Sequence, residues 1–454
     1  MTSNAFAPSE TRRILRRLRK PAVFTDMTCD WPVLRWTAEH LAERCGDKPV
    51  RFRLGKKEGV KGPLFETQCS YIEAKLTHFL RWTQNQSGTD VGPFVEYPYS
   101  DYWAYADYKY IARLFHDQPF MFEDVKWSDF GFEGRDGKES TLWIGTEGAN
   151  TPCHMDSYGC NLVLQVQGRK RWHLFPPEDT ANLYPTRIPY EESSVFSRVD
   201  VLRPELGRFP AFRRARPHVV TLQPGQVLYV PRHWWHYVQS VDPITVSVNS
   251  WIELEDDDVA RVSEAVTKAV VCAIKSAQSD DDTDDWLNPT EEGVTSHNEN
   301  IQYLNLAVGA CAQRRSSLCH VRQRKARPVK RGATGSLRND GDQVDRSTFS
   351  VPFGPSLIPV CQREDWPEPG SAAAEEPVKP RGTAEDRVLI SGSAPGTDPP
   401  PAERSAGSAP GRDRRHAVTT DDLLDCLLHP DVMSRVTELL LERHAGSPRS
   451  TSPP

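Results

Sequence analysis

The stretch TPCHMDSYGCNLVLQVQGRKRW, residues 151–172, alternates small, apolar and polar residues as a β-strand pair does, and it carries His154 and Asp156 on either side of Met155. On an extended strand, residues two apart leave the same face, so both side chains can grip one ion. Downstream, GQVLYVPRHWWHYV, residues 225–238, supplies His236 on another predicted strand. Two imidazoles and one carboxylate form a facial triad that keeps coordination positions open, as non-haem iron(II) needs. A lone H-x-D arises often by chance, so the surrounding text has to carry the reading.

From Ser140 to Leu254 short β-rich runs recur between Gly, Pro and polar turns: STLWIG, NLVLQVQ, RWHLFPP, HVVTL, QVLYVP and ITVSVNSWIEL. That rhythm predicts an antiparallel barrel or sandwich. Upstream the pattern is mixed α/β. A helix is expected over Arg12 to Lys20 with Ile14, Leu15 and Leu18 on one side, and a strand in PVRFRLG around Arg51. YIEAKLTHFLRW is expected to be helical, with Ile72, Leu76, Phe79 and Leu80 on one face. Downstream, Val259, Val262, Val266, Ala269, Val270 and Ala273 share a helical face after an acidic first turn, and IQYLNLAVGACA from Ile301 could pair with it or serve a homodimer. Between about Ser316 and Val418 apolar periodicity vanishes, which predicts disorder. Its basic cluster, Arg322, Arg324, Lys325, Arg327, Lys330 and Arg331, reads as a solvated charge run, with a nuclear address as the alternative. Thr420 is expected to cap the next helix. A second helix from Asp431 would carry Val432, Val436, Leu439 and Leu440 as a docking stripe.

The chain is 454 residues long, 38% hydrophobic, with net charge −6 and a mean hydropathy of −0.58. It is long enough for several domains, and some of it is too polar to bury itself. No global basic field points to DNA, and no stretch is apolar enough to span a membrane. The ten cysteines include no C-x-x-C pair, which argues against a zinc ribbon or a disulfide framework. With no secretory signal at the start, a cytoplasmic protein is expected, with the nucleus as the alternative.

Taken together, TPCHMDSYG, NLVLQVQGRKRWHLFPP, PGQVLYVPRHWWHYV and ITVSVNSW resemble the JmjC hydroxylase family, its asparaginyl-hydroxylase branch in particular, over roughly Trp103 to Leu254. The resemblance implies a mainly β fold: a JmjC/cupin double-stranded β-helix, or jelly roll, over residues 96–257. It would have an α/β N-terminal flank (1–95), a helical extension (258–315), a disordered linker (316–418) and C-terminal docking helices (419–446). It also implies Fe(II) held by His154, Asp156 and His236, with 2-oxoglutarate as co-substrate. Thr151 and Lys170 stand where the family binds the distal carboxylate of 2-oxoglutarate. Asn161 and Asn249 match pocket asparagines, although one more residue separates His154 from Asn161 here. A tyrosine completes the carboxylate site, and either Tyr102 or Tyr105 could supply it. FETQCSYIEA, DVKWSDFGF, TRIPYEESSVFS and TTDDLLDCLL extend the likeness to JmjC proteins associated with small heat-shock proteins, implying such a partner and a role in stress response. A protein or peptide substrate, hydroxylated on a side chain, is expected over N-methyl-lysine demethylation, because the zinc-binding reader modules often fused to chromatin demethylases are missing. The competing expectation is a non-catalytic scaffold.

Overall fold

The structure is a computed structural model describing residues 4–59, 61–84, 88–277, 284–291, 293–326, 350–363 and 418–444. Helix α1 (Pro8–Arg17) begins before the arginine run, since Pro8 suits a first helical turn, and it buries Ile14 and Leu15. Then come β1 (Ala22–Phe24), α2 (Ala38–Cys45), β2 (Val50–Lys56), β3 (Ser70–Ala74) and α3 (Leu76–Thr83). The helix expected over 71–82 is therefore shorter. Ile72 lies on β3 opposite Phe52, where β-branched and aromatic neighbours pack well on a pleat.

The barrel strands follow as β4 (Tyr102–Tyr110), then the single turn α4 (Ile111–Leu114), β5 (Thr141–Thr146), β6 (Asn150–Asp156), β7 (Cys160–Gln167) and β8 (Lys170–Phe175). They continue with β9 (Pro185–Glu191), β10 (Ser194–Ser197), β11 (His218–Leu222), β12 (Val227–Val230), β13 (Trp235–Ser240) and β14 (Ile244–Ile252). After the barrel come α5 (Asp257–Lys275), α6 (His297–Ala326), β15 (Leu357–Pro359), α7 (Thr420–Leu427) and α8 (Pro430–His444). All pairings between these strands are antiparallel. One sheet runs β15-β1-β12-β7-β14-β5-β4-β2-β3 and the other β11-β8-β13-β6-β10-β9. Between β5 and β14 the chain changes sheet at β5 to β6, β6 to β7, β7 to β8, β11 to β12, β12 to β13 and β13 to β14, the weave of a jelly roll, so side chains from both sheets meet inside. The run QVLYVPRHWWHYV is thus two strands in opposite sheets. Pro231 interrupts it, and His233 turns the corner in the left-handed region at φ 66°.

The N-terminal flank is not a separate layer. β1 pairs with β12 and β2 with β4, and one apolar core extends from Ile14 through Leu162 to Leu357. No break in that core falls at the expected boundary of 95.

Two parts of the segment expected to be structureless have structure. Helix α6 runs on to Ala326, and residues 350–363 form a strap along β1 and β11. Thr25 N–H donates to the Ser356 carbonyl, Val360 N–H to Pro21 and Arg363 N–H to Pro217. Leu357 and Val360 are buried, though too few in number to register as periodicity. Arg327, Lys330 and Arg331 lie outside the described residues. A deletion of the whole segment should therefore lower the barrel's stability. Leu357→Ala should cost about 2–5 kcal/mol, the usual range for emptying a fully buried leucine site. Thermal unfolding of the full chain checks this, and an unchanged Tm would show that the strap is not part of the core.

The tail folds back on the chain. Thr419, not Thr420, caps α7, its hydroxyl accepting from Asp422 N–H while the Asp422 carboxylate accepts from Thr419 N–H. Helix α8 packs on α5 and α6. Its buried stripe is Met433, Thr437 and Leu441, with Val436 and Leu440 beside it, whereas Val432 and Leu439 are exposed. On α5 the covered face likewise holds Val262, Ala265, Val266 and Val271, leaving Val259 and Ala273 outside. The apolar face of α5 is thus consumed within the chain. The exposed apolar residues on α6 include Ile301, Tyr303 and Leu306.

Candidate active site

His154 and Asp156 share the inner face of β6, and His236 on β13 pairs directly across from His154. The two rings lie 4.2 Å apart centre to centre, and one ligand atom from each of the three residues falls within 4.8 Å of the others. Among the described residues this is the one His/Cys/Asp/Glu cluster with metal-holding geometry.

The histidines are oriented by the backbone. His154 Nδ1 is 2.9 Å from the Pro152 carbonyl and His236 Nδ1 is 2.9 Å from that of Trp234. A carbonyl only accepts, so each Nδ1 carries the proton and each Nε2 keeps its lone pair for an ion. Burial, reinforced by the facing His236, lowers the His154 pKa to about 4.

The co-substrate candidates converge on the same cavity: Tyr105, Thr151, Asn161, Lys170 and Asn249 all line it with His154 and His236. Simple alternation would put Thr151 on the opposite face from His154, three residues on. The register between β6 and β13 slips there, with His236 opposite His154 but Val238 opposite Thr151. This bulge lets both side chains point inward, and it falls at Pro152, which has no N–H to lose from the ladder.

Lys170 opens β8, and alternation buries Lys170 and Trp172 while exposing Arg171. Its ammonium lies 2.8 Å from Ser247 Oγ and 3.1 Å from the Tyr105 hydroxyl, with no carboxylate paired to it. Burial lowers its pKa from 10.5 to about 7, a distant Asp107 opposing. Of the two candidate tyrosines, Tyr105 lines the cavity, and Tyr102 instead packs against Tyr97. Gly145, beside Tyr105 on β5, makes room for that ring: a Cβ there would sit 2.9 Å from Tyr105 Cδ2.

Several residues escaped the sequence reading. Ser247 and Trp251 share strand parity with Asn249 and join it at the cavity, a signal present in ITVSVNSW. Tyr108, held at φ 51°, and Trp143 had no such signal. Beneath the site Arg53 is fully buried, donating to Asp107 Oδ2 at 2.7 Å and to the Asn150 carbonyl at 2.8 Å, which ties β2 and β4 to the start of the metal-bearing strand. His233 contacts the Ser157 carbonyl, and Trp234 and Trp235 are core, as expected of them. Cys153 and Cys160 are buried free thiols. His173 and His218 face each other's strands on β8 and β11, away from the triad.

The site also fits the implied ligands by its unmet bonding. Asn161 Oδ1, Asn249 Oδ1 and Trp172 Nε1 are buried without hydrogen-bond partners, and Lys170 lacks an anion. Buried polar atoms are ordinarily satisfied, so such a concentration marks a place built for a polar guest. The cavity is narrow, and Lys170, on its flexible stem, is the side chain that can yield to one.

A barrel of two antiparallel sheets enclosing a two-histidine, one-carboxylate cluster defines a class, and the chain belongs to it: residues 8–258 match the cupin-like domain family. Over nearly its whole length the chain is similar to the zebrafish (Danio rerio) HSPB1-associated protein 1 homolog, 55% identical over 98% of this chain and 99% of the relative. It is also similar to human HSPB1-associated protein 1, 48% identical over 96% of this chain and 94% of that one. Lysine-specific demethylase 8 of Xenopus tropicalis is 29% identical over 51% of this chain and 48% of its own length.

Proposed function

We propose that the protein is an iron(II)- and 2-oxoglutarate-dependent oxygenase that hydroxylates a protein side chain and associates with a small heat-shock protein in the cell's stress response. The observation that carries the reading is the pairing of the His154–Asp156–His236 triad with the buried, anion-less Lys170 in one cavity. A pure scaffold needs neither. When bound, iron with 2-oxoglutarate and dioxygen supplies the oxidant for inserting one oxygen atom into a C–H bond.

His154, Asp156 and His236 would hold the metal. Lys170, with the Thr151 and Tyr105 hydroxyls, would hold the far carboxylate through charge-assisted hydrogen bonds in a site that excludes water. Tyr105 stays protonated, since burial pushes its pKa up, and so remains a donor. Asn161 and Asn249 would orient the bound acid. Access for a protein substrate runs along a groove of about 800 Å³, bordered by Tyr108, Asp156, Glu191 and Trp251 and reaching the carboxylate of the triad.

The heat-shock partner rests on the relatives' names. The exposed Leu423, Leu427, Val432 and Leu439 of the tail helices offer it an apolar surface. A cytoplasmic location, with nuclear entry as the alternative, is part of the same proposal. The scaffold reading draws on that surface too, and demethylation on the likeness to a lysine demethylase.

One experiment separates these readings. Anaerobic titration of 2-oxoglutarate into iron-loaded full-length protein should show one saturable site that vanishes without iron. No such binding would leave the scaffold as the better account. With a substrate in hand, gain of one oxygen atom supports hydroxylation, and loss of a methyl group supports demethylation.

A further inference from the structure

Asp156 has two oxygens, and they do different things. Oδ1 lies 3.9 Å from His154 Nε2, on the side of the triad. Oδ2 accepts a hydrogen bond from Trp251 Nε1 at 3.2 Å. Trp251 stands on β14 across from Asn161 of β7, so the indole reaches Asp156 from the sheet opposite the one that bears it. Its ring stacks on Tyr108, with centres 6.2 Å apart and planes 11° apart, and tilts against Trp143 at 6.3 Å. Packed on these rings, the indole has little freedom to turn, and its N–H can only donate.

We infer that Trp251 is a positioning residue that restricts Asp156 to one-oxygen ligation. The inference rests on the metal-site reading above. A carboxylate free to rotate binds a metal through one oxygen or through both. Three single-point protein ligands leave three positions of an octahedral ion for exogenous molecules, and a two-oxygen aspartate would leave two. A 2-oxoglutarate oxygenase needs all three, two for the keto acid and one for dioxygen. By keeping Oδ2 occupied, the indole protects the last of them. Trp251 and Tyr108 also line both the metal cavity and the surface groove, so whatever fills the groove presses on the ring that restrains Asp156.

Manganese(II) serves as the probe, because the water molecules on the bound ion can be counted from water-proton relaxation. In full-length protein about three exchangeable waters are expected, and in Trp251→Phe about two, with the relaxation enhancement falling by roughly a third and manganese affinity unchanged or higher. A purely structural role would weaken binding without changing the count per bound ion. An unchanged count in Trp251→Phe overturns the inference. A second measurement stands even if that variant fails to fold: in unmodified protein loaded with zinc(II), the Trp251 indole N–H should exchange slowly with water, and exchange as fast as that of an exposed indole overturns the inference as well. Failure of the underlying reading looks different, for then manganese would not bind the unmodified protein, or would bind His154→Ala equally well.

Discussion

Asp156→Ala abolishes tight iron(II) binding while leaving the barrel folded. Asp156 supplies the triad's negative charge, and it sits at the end of β6, partly buried but outside the apolar cores, so little packing is lost with it. Changing the partners that merely orient a ligand already weakens metal sites by about 10–100-fold, and removing the one anionic ligand should exceed about 100-fold. Calorimetric titration of iron(II) under anaerobic conditions, beside circular dichroism of the same sample, measures both halves of the expectation. Near-native iron affinity in the variant would sink the triad.

Lys170→Ala leaves the three iron ligands untouched and weakens the co-substrate alone. A charge-assisted hydrogen bond to a buried carboxylate is worth on the order of 2–3 kcal/mol, so 2-oxoglutarate affinity should fall roughly thirtyfold to more than a hundredfold. Its pH dependence is the sharper signature. With the pKa of Lys170 lowered to about 7, the ammonium is intact below that pH and is lost above it. The carboxylate binds the charged form, so above about pH 7 binding must take up a proton, and affinity should fall by up to about tenfold per pH unit. Below about pH 7 this dependence disappears. In Lys170→Ala affinity should be low and flat across the same range. A Kd for the unmodified protein that equals that of Lys170→Ala throughout pH 7 to 9 would show that Lys170 does not hold the ligand.

What could be read without coordinates was whatever repeats locally. Short β-rich runs between turn residues located β5, β7, β8, β11, β12 and β14, and the single spacer between His154 and Asp156 put both on one strand face. Helical spacing located α5 and the tail helices, though with the buried stripe turned aside. The sequence shows which residues are apolar, but neighbouring helices choose which of them to cover. Val259 and Leu439 ended outside for that reason.

Likeness to a family marked Thr151 and Lys170, which alternation and turn propensity alone would have misplaced. The structure supplied the reasons, a bulge at Pro152 and a strand that opens at Lys170 rather than after it.

The sequence by itself determined a barrel or sandwich of antiparallel strands and the three metal-ligand candidates, because strand rhythm and side-chain chemistry are local properties, whereas the jelly roll and the co-substrate candidates came from likeness to a family. Only the tertiary structure decided between Tyr102 and Tyr105, brought Ser247 and Trp251 to the site, buried Arg53 against Asp107, and drew Leu357 from a segment without periodicity onto β1. Each of these joins residues far apart in the chain. Their partners follow from sheet order and register, which depend on how the whole barrel closes and leave no mark in a short window of sequence.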